Sequence, residues 1–257
     1  MISDKAVISP KAKIGNNVTI FPFAYIEDDV VIGDDCVIYP FVSIMKGTTL
    51  GKNNRVHQGT VLGAIPQDFN YKGEDTRLVI GDDNIIRENV VVNRATFADG
   101  ETRIGNRCFI MEGVHISHDA KVGDACVFGY GTKIAGDTEF GHGVILSSNV
   151  IVNPQVRIGV AAMVSSGSRV SQDVPPYIVA NDNPVRYGGL NAQVLTDHDV
   201  EEKIQKHIAN AYRLVFHGNT SLFDAVLQIK DQVPDGKEVR NIIDFLETTK
   251  LGIIGKK

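Results

Sequence analysis

Two histidines and an aspartate fall within five residues in the run MEGVHISHDAKVG: His115, His118 and Asp119. A neutral imidazole in a cleft can take a proton from a hydroxyl near neutral pH, and an adjacent carboxylate can orient the ring and stabilise its charged form. The chemistry predicted from this run is general-base catalysis by a dyad, with His118 as the base. Spacing alone leaves a plainer alternative open, a pair of exposed histidines in a turn. Of the seven histidines, the other five (His57, His142, His198, His207 and His217) form no comparable arrangement. The three cysteines, Cys36, Cys108 and Cys126, are odd in number and lack metal-type spacing. Neither a disulfide framework nor a zinc cluster is expected from them.

The element that must position His118 is set by a period of six. From Ile8 to Leu62 every sixth residue is Ile, Leu or Val, and the phase resumes at Ile80 and runs through Val92, Ala98, Ile104, Ile116 and Ile134 to Val170. Of 26 such positions 23 are Ile, Leu or Val, whereas a shuffled chain that is 43% hydrophobic would place an apolar residue of any kind at fewer than half. A small or β-branched residue follows nearly every aliphatic by four, as in Ala12, Val18, Ala24, Thr60, Ala120 and Ala162, and all three cysteines obey this rule. They read as buried packing residues. Runs such as IGNNVT, IGDDCV and IGNRCF put turn residues directly after the aliphatic. One short strand and one bend consume six residues, and three such units close a triangular coil of about eighteen that stacks on the next at about 4.8 Å. The prediction is a mainly β chain, a parallel β-helix on the order of 40 Å long that needs caps at its ends. Ile116 points inward, so His118, two residues on, should point out at or near a corner.

Two segments interrupt the period and are predicted to be loops, 63–79 (GAIPQDFNYKGEDTRLV) and 95–103 (ATFADGETR). Loops on a rigid scaffold are where binding residues collect. The repeat is expected to stop after QDVPPY at 172–177, because Pro175 and Pro176 cannot continue strand pairing. From about Asp197 the spacing turns helical, with Val200, Ile204, Ile208, Ala211 and Val215 on one face and Gly218 as a stop. Ser221 with Asp224 begins a second helix, and a third covers 237–249. The expected division is a β-helix over 1–177, a connecting segment over 178–195 and a helical domain over 196–257, packed on the prism or on a neighbour. A net charge of −5 without a long basic run leaves no footprint for DNA or RNA. No stretch approaches a membrane span, and the N-terminus lacks an export signal, so a cytoplasmic protein is expected.

HISHD, QDVPPY, the early loop QDFNYKGEDTR and the helical tail, at matching distances over essentially the whole chain, resemble the UDP-N-acetylglucosamine O-acyltransferase family that begins lipid A synthesis. The resemblance implies a left-handed coil, the exception to the usual crossover rule, and a homotrimer with sites between prisms. It implies an acyl group taken from acyl carrier protein onto the sugar nucleotide, with no metal and no cofactor. His118 matches the general base and Asp119 its orienting carboxylate. Gly136 in KIAGD matches the glycine whose N–H stabilises the oxyanion. His115, Gln67 and Asp68 match substrate contacts, and Asn191 a nucleotide contact. Several positions depart from the family pattern. Asn70 stands for a lysine, with Lys72 nearby, and Asp137 stands where a histidine is frequent. Asn153 and Pro154 replace a His-Gln pair, and Asp197 and His198 replace a basic pair. Ser166 stands for a glycine that can limit acyl-chain length. These substitutions bear on the sugar, phosphate and acyl contacts, so a 3-amino acceptor, another sugar nucleotide or a coenzyme A donor stay open. A hexapeptide carbonic anhydrase, with His115 and His118 on zinc, and a non-catalytic solenoid are the rival classes.

Overall fold

The computed structural model describes residues 1–197 and 199–255, and it is the left-handed parallel β-helix expected, with a helical C-terminal region. Among the described residues, strands of mostly two residues form three sheets of nine, eight and ten strands, parallel except for the last strand of the third, with each parallel strand hydrogen-bonded to the one a full coil away. On the period from Ile20 to Val170, Ala98 alone excepted, each residue is 4% exposed or less. The core is therefore a stack of aliphatic ladders closed by the small column four residues on, which includes all three cysteines. Burial raises the Cys36 thiol above its usual range, as befits a packing residue.

Each corner has two separate demands. The residue three after the inward aliphatic takes a left-handed φ, for example 61° at Asp35 and 60° at Asp119, which Asn, Asp and Gly tolerate best. The glycine directly after the aliphatic serves close stacking instead: a Cβ on Gly33 would lie 2.6 Å from the Gly51 carbonyl carbon of the next coil.

The loops differ from the expected spans. Strands Val61–Ala64, Arg77–Ile80 and Glu101–Ile104 extend into both, leaving 65–76 and 94–100 outside the sheets. Coil partners are 18 residues apart before the loops, 30 across the first and 24 across the second. Both excesses over eighteen, twelve and six, are multiples of the period, so the phase survives and passes through Ala98 without a strand there. Ala98 is an exposed loop residue and not an inward one. The prolines also fail to end the coil. Val174 bridges Ile158, and Ile178–Asn181 adds a further parallel strand on Met163–Val164. Pro175 and Pro176 lie at the corner between them, where no ladder N–H is required.

Arg186–Leu190 then turns back antiparallel on Ile178–Asn181 and closes this end of the prism. Among the described residues four helices follow: α1 (Ala192–Asp197), α2 (Glu202–His217), α3 (Leu222–Gln232) and α4 (Lys237–Thr248). The helices pack on this chain's own prism. Tyr212 donates to the Pro176 carbonyl at 2.6 Å, and the Arg157 guanidinium lies 4.6 Å from the Phe245 ring centre. Ser221 caps α3 by accepting the Asp224 N–H, and Gly218 ends α2. Among the described residues no helix is long and apolar enough to cross a membrane.

Candidate active site

His118 sits at a corner of the prism with its side chain 13% exposed. Its Nδ1 lies 2.8 Å from Asp119 Oδ2. The left-handed turn at Asp119 is what brings the carboxylate of the next residue back onto the ring. That carboxylate is itself held by the Thr96 N–H, which donates to both oxygens at 3.3 and 3.2 Å, and the backbone beneath it is fixed where the Asp119 N–H donates to Thr102 Oγ1 at 2.8 Å. Thr96 belongs to the 94–100 loop, so that insertion braces the dyad. An acceptor on Nδ1 makes it the protonated nitrogen of a neutral ring and leaves Nε2 with its lone pair free to act as a base. Nε2 faces Asp68 Oδ2, on the 65–76 loop, at 3.6 Å.

Behind the ring lies Gly136, one coil further on, and a Cβ there would stand 2.4 Å from His118 Cε1 and 2.7 Å from Nε2. Only a residue without a side chain leaves space for the imidazole. Among the described residues no acceptor meets the Gly136 N–H; the residue above it in the column is Pro154, whose ring offers none. Next to it, Asp137 donates its N–H to the His118 carbonyl at 3.1 Å. Its carboxyl is raised above the usual range by partial burial and by the neighbouring charges of Asp119 and Asp68, against the opposing effect of His118. A groove of about 400 Å³ opens here, lined by Gly100, Glu101, Asp119, Lys121, Asp137 and Glu139.

The 65–76 loop is fastened rather than loose. Arg94 donates to the Tyr71 hydroxyl at 2.7 Å and to the Gly63 carbonyl at 3.3 Å, and its guanidinium lies 5.7 Å from the Tyr71 ring centre. Arg77 pairs with Asp29 and with Asp75 at the loop's far end. Asp68 Oδ1 accepts the Asn70 N–H at 2.7 Å, a local turn that sets the carboxylate. Gln67, Asn70 and Lys72 stay on the exposed surface of this loop, the Lys72 ammonium donating to the Phe69 carbonyl. We expect Arg94→Met to speed amide hydrogen exchange across 65–76 about tenfold, the consequence of losing charge-assisted hydrogen bonds. Unchanged exchange there would show that the loop holds itself.

His115, on the strand that carries Ile116, has its Nε2 2.8 Å from Asn93 Oδ1. Burial holds its pKa below the ordinary imidazole value, with Lys133 next in effect, and burial does the same at His57 against the opposing charge of Glu88. Just below the ordinary value of about 6.5 the unfolded chain therefore holds more protons on these rings than the folded one. Stability is expected to rise with pH through that window and level off above it. Melting temperatures at pH about 5.5 and about 7.5 check this, and His57→Gln or His115→Gln should each shrink the difference.

The remaining expected site residues lie apart from the His118 cluster within one chain. Asn153 is two coils further along the same edge and accepts from Arg169 Nε at 3.3 Å. Ser166 is exposed at a different corner. Asn191 is 4% exposed in the cap, where its Nδ2 donates to the Ala161 carbonyl at 3.0 Å. Asp197 ends α1 and accepts from Gln193 at 2.8 Å, while His198 lies outside the described residues. Asn93, Arg94, Thr96 and Thr102 position the site and were not expected. Three of them, Asn93, Thr96 and Thr102, are fully buried polar side chains, and NRAT borders the second interruption, which was the available signal.

Comparisons with known proteins agree with one another. The family described as Udp N-acetylglucosamine O-acyltransferase, domain 2, matches residues 173–254, and the bacterial transferase hexapeptide matches 11–44, 29–64 and 101–136. Proteins named acyl-[acyl-carrier-protein]–UDP-N-acetylglucosamine O-acyltransferase from Sulfurovum sp. and Syntrophobacter fumaroxidans are 40% and 36% identical. Each alignment covers 98% of this chain, and 96% and 99% of those proteins respectively. The crystal structure of a UDP-N-acetylglucosamine acyltransferase from Bacteroides fragilis is 42% identical with a TM-score of 0.97, covering 99% of this chain and all of that one.

Proposed function

The chain belongs to the family of the UDP-N-acetylglucosamine O-acyltransferases, and from that premise we propose how its own residues carry acyl transfer. It moves an acyl group from acyl carrier protein to UDP-N-acetylglucosamine. In our reading the acceptor is the sugar 3-hydroxyl. His118 Nε2 takes the hydroxyl proton as the oxygen attacks the thioester carbonyl. The carbonyl oxygen becomes an oxyanion, which the free Gly136 N–H receives as a hydrogen-bond donor. Collapse of the tetrahedral intermediate expels the carrier's thiolate, and the His118 imidazolium returns the proton to that sulfur. Asp119 keeps the ring in the tautomer this requires and stabilises its charge while the proton is held. Asp68, facing the same nitrogen, and His115 are assigned to the sugar.

The observation that carries this reading is one imidazole fixed at Nδ1 by a braced carboxylate, with an uncommitted backbone N–H in the coil beside it. Purified chain given a 3-hydroxyacyl carrier protein and UDP-N-acetylglucosamine should form the 3-O-acyl sugar nucleotide, read by mass spectrometry. Absence of product refutes the substrate assignment.

We further assign Asn153, Ser166 and Asn191 to substrate contacts completed across copies, the working unit being a homotrimer in the cytoplasm. Their separation from His118 within one chain supports that arrangement. Sizing at two protein concentrations tests it, and a monomer at both would remove it.

A further inference from the structure

The carboxamide of Asn93 decides what His115 can offer a substrate. Asn93 is 1% exposed and lies at the end of strand Val91–Asn93, one coil before His115. Its Nδ2 is 2.7 Å from the Ile65 carbonyl oxygen and 3.4 Å from that of Ala64, while its Oδ1 is 2.8 Å from His115 Nε2. Backbone carbonyls only accept, so the amide must turn its NH₂ toward them. The opposite flip would press a carbonyl oxygen against another at 2.7 Å in a site sealed from water, leaving both unpaired. With the amide so fixed, Oδ1 is the group that meets His115, and it also only accepts. The proton between them therefore belongs to Nε2 of His115.

We infer that Asn93 is a positioning residue that locks His115 as the Nε2–H tautomer, so that Nδ1 accepts a hydrogen bond from an O–H or N–H of the acceptor sugar. Nδ1 makes no hydrogen bond among the described residues and is not among the sealed polar atoms left without a partner, so it keeps some exposure to an incoming donor. His118 is locked the other way, with its proton on Nδ1 facing Asp119. Two histidines three residues apart thus present opposite nitrogens for opposite reasons. His118 is set by a charged carboxylate that also stabilises an imidazolium. His115 is set by a neutral amide that does so far less, and burial lowers its pKa and so disfavours the charged ring. One is equipped to carry a proton and the other only to recognise one. The same carboxamide also ties His115 to Ile65, at the start of the loop bearing Asp68, so recognition at His115 and placement of Asp68 share one buried side chain.

This inference rests on the proposed acyl transfer for its substrate, but its first test does not. Ring ¹⁵N spectra of selectively labelled protein, with His115 assigned by its loss in His115→Gln, report the tautomer directly. A protonated Nε2 and a bare Nδ1 at His115 are expected. A protonated Nδ1, or a ring exchanging between tautomers, overturns the proposal even if the enzyme is fully active. In Asn93→Ala the tautomer signal should become mixed, and KM for the sugar nucleotide should rise about tenfold, the worth of one hydrogen bond, with kcat changed much less. Asn93→Asp keeps the acceptor facing Nε2 and should preserve the tautomer while freeing Ile65. An Asn93→Asp ring that loses the Nε2–H form would also defeat the assignment. Should the sugar nucleotide prove not to be the acceptor, the tautomer result stands and only the kinetic part fails.

Discussion

Replacing His118 with alanine is expected to lower kcat by about 10²–10⁴, the range by which a positioned general base accelerates proton transfer. KM for the sugar nucleotide should change little, because the ring acts on the proton in flight more than on the bound sugar. The fold should survive. The ring occupies a corner and not the aliphatic ladder, and the inward residue of its unit, Ile116, is untouched. Asp119 would keep the Thr96 N–H as its partner. Thermal melting of the variant within a few degrees of the parent, together with single-turnover rates, separates lost chemistry from lost structure. A variant that retains a tenth or more of the parent kcat would remove His118 from the base role and return the site to a recognition surface.

That expectation was readable in the chain for a physical reason. A strict period assigns every residue a direction once the inward set is known, so HISHD could be placed at a corner from Ile116 alone. The same regularity misled at Ala98, because insertions of twelve and six leave the phase intact and a loop residue falls on the beat. It misled again at Pro175 and Pro176, since a rule about strands was applied to residues that occupy a bend. What the period does not carry is contact between coils and loops. Thr96 reaching Asp119, Arg94 reaching Tyr71 and Asn93 reaching both His115 and Ile65 each join segments whose meeting depends on how a non-repeating loop folds back. The polar character of NRAT beside an interruption marked the place without naming the partners. Helix α1 escaped notice because six residues are too few for a helical face to emerge against an irregular cap.

The second large effect is expected at Gly136. An alanine there needs no unusual backbone, since the glycine does not occupy the left-handed region. Its methyl instead collides with the imidazole, at 2.4 Å from Cε1 and 2.7 Å from Nε2 of His118. The neighbouring contact cannot yield cheaply, because the ring is pinned through Nδ1 to a carboxylate whose two oxygens both accept from the Thr96 N–H, on a residue whose own N–H is tied to Thr102. The imidazole must therefore turn away from the Gly136 N–H, the donor proposed for the oxyanion. We expect Gly136→Ala to cost about 10²–10³ in kcat, comparable to deleting an oxyanion donor although the N–H itself is retained. The distinguishing measurement is the double variant. If the methyl acts by displacing the ring, adding Gly136→Ala to His118→Ala should cost almost nothing further, because the ring it would strike is gone. If the double variant is instead a further hundredfold slower, the methyl obstructs the acyl group or its oxyanion directly, and the glycine serves the acyl group independently of the histidine.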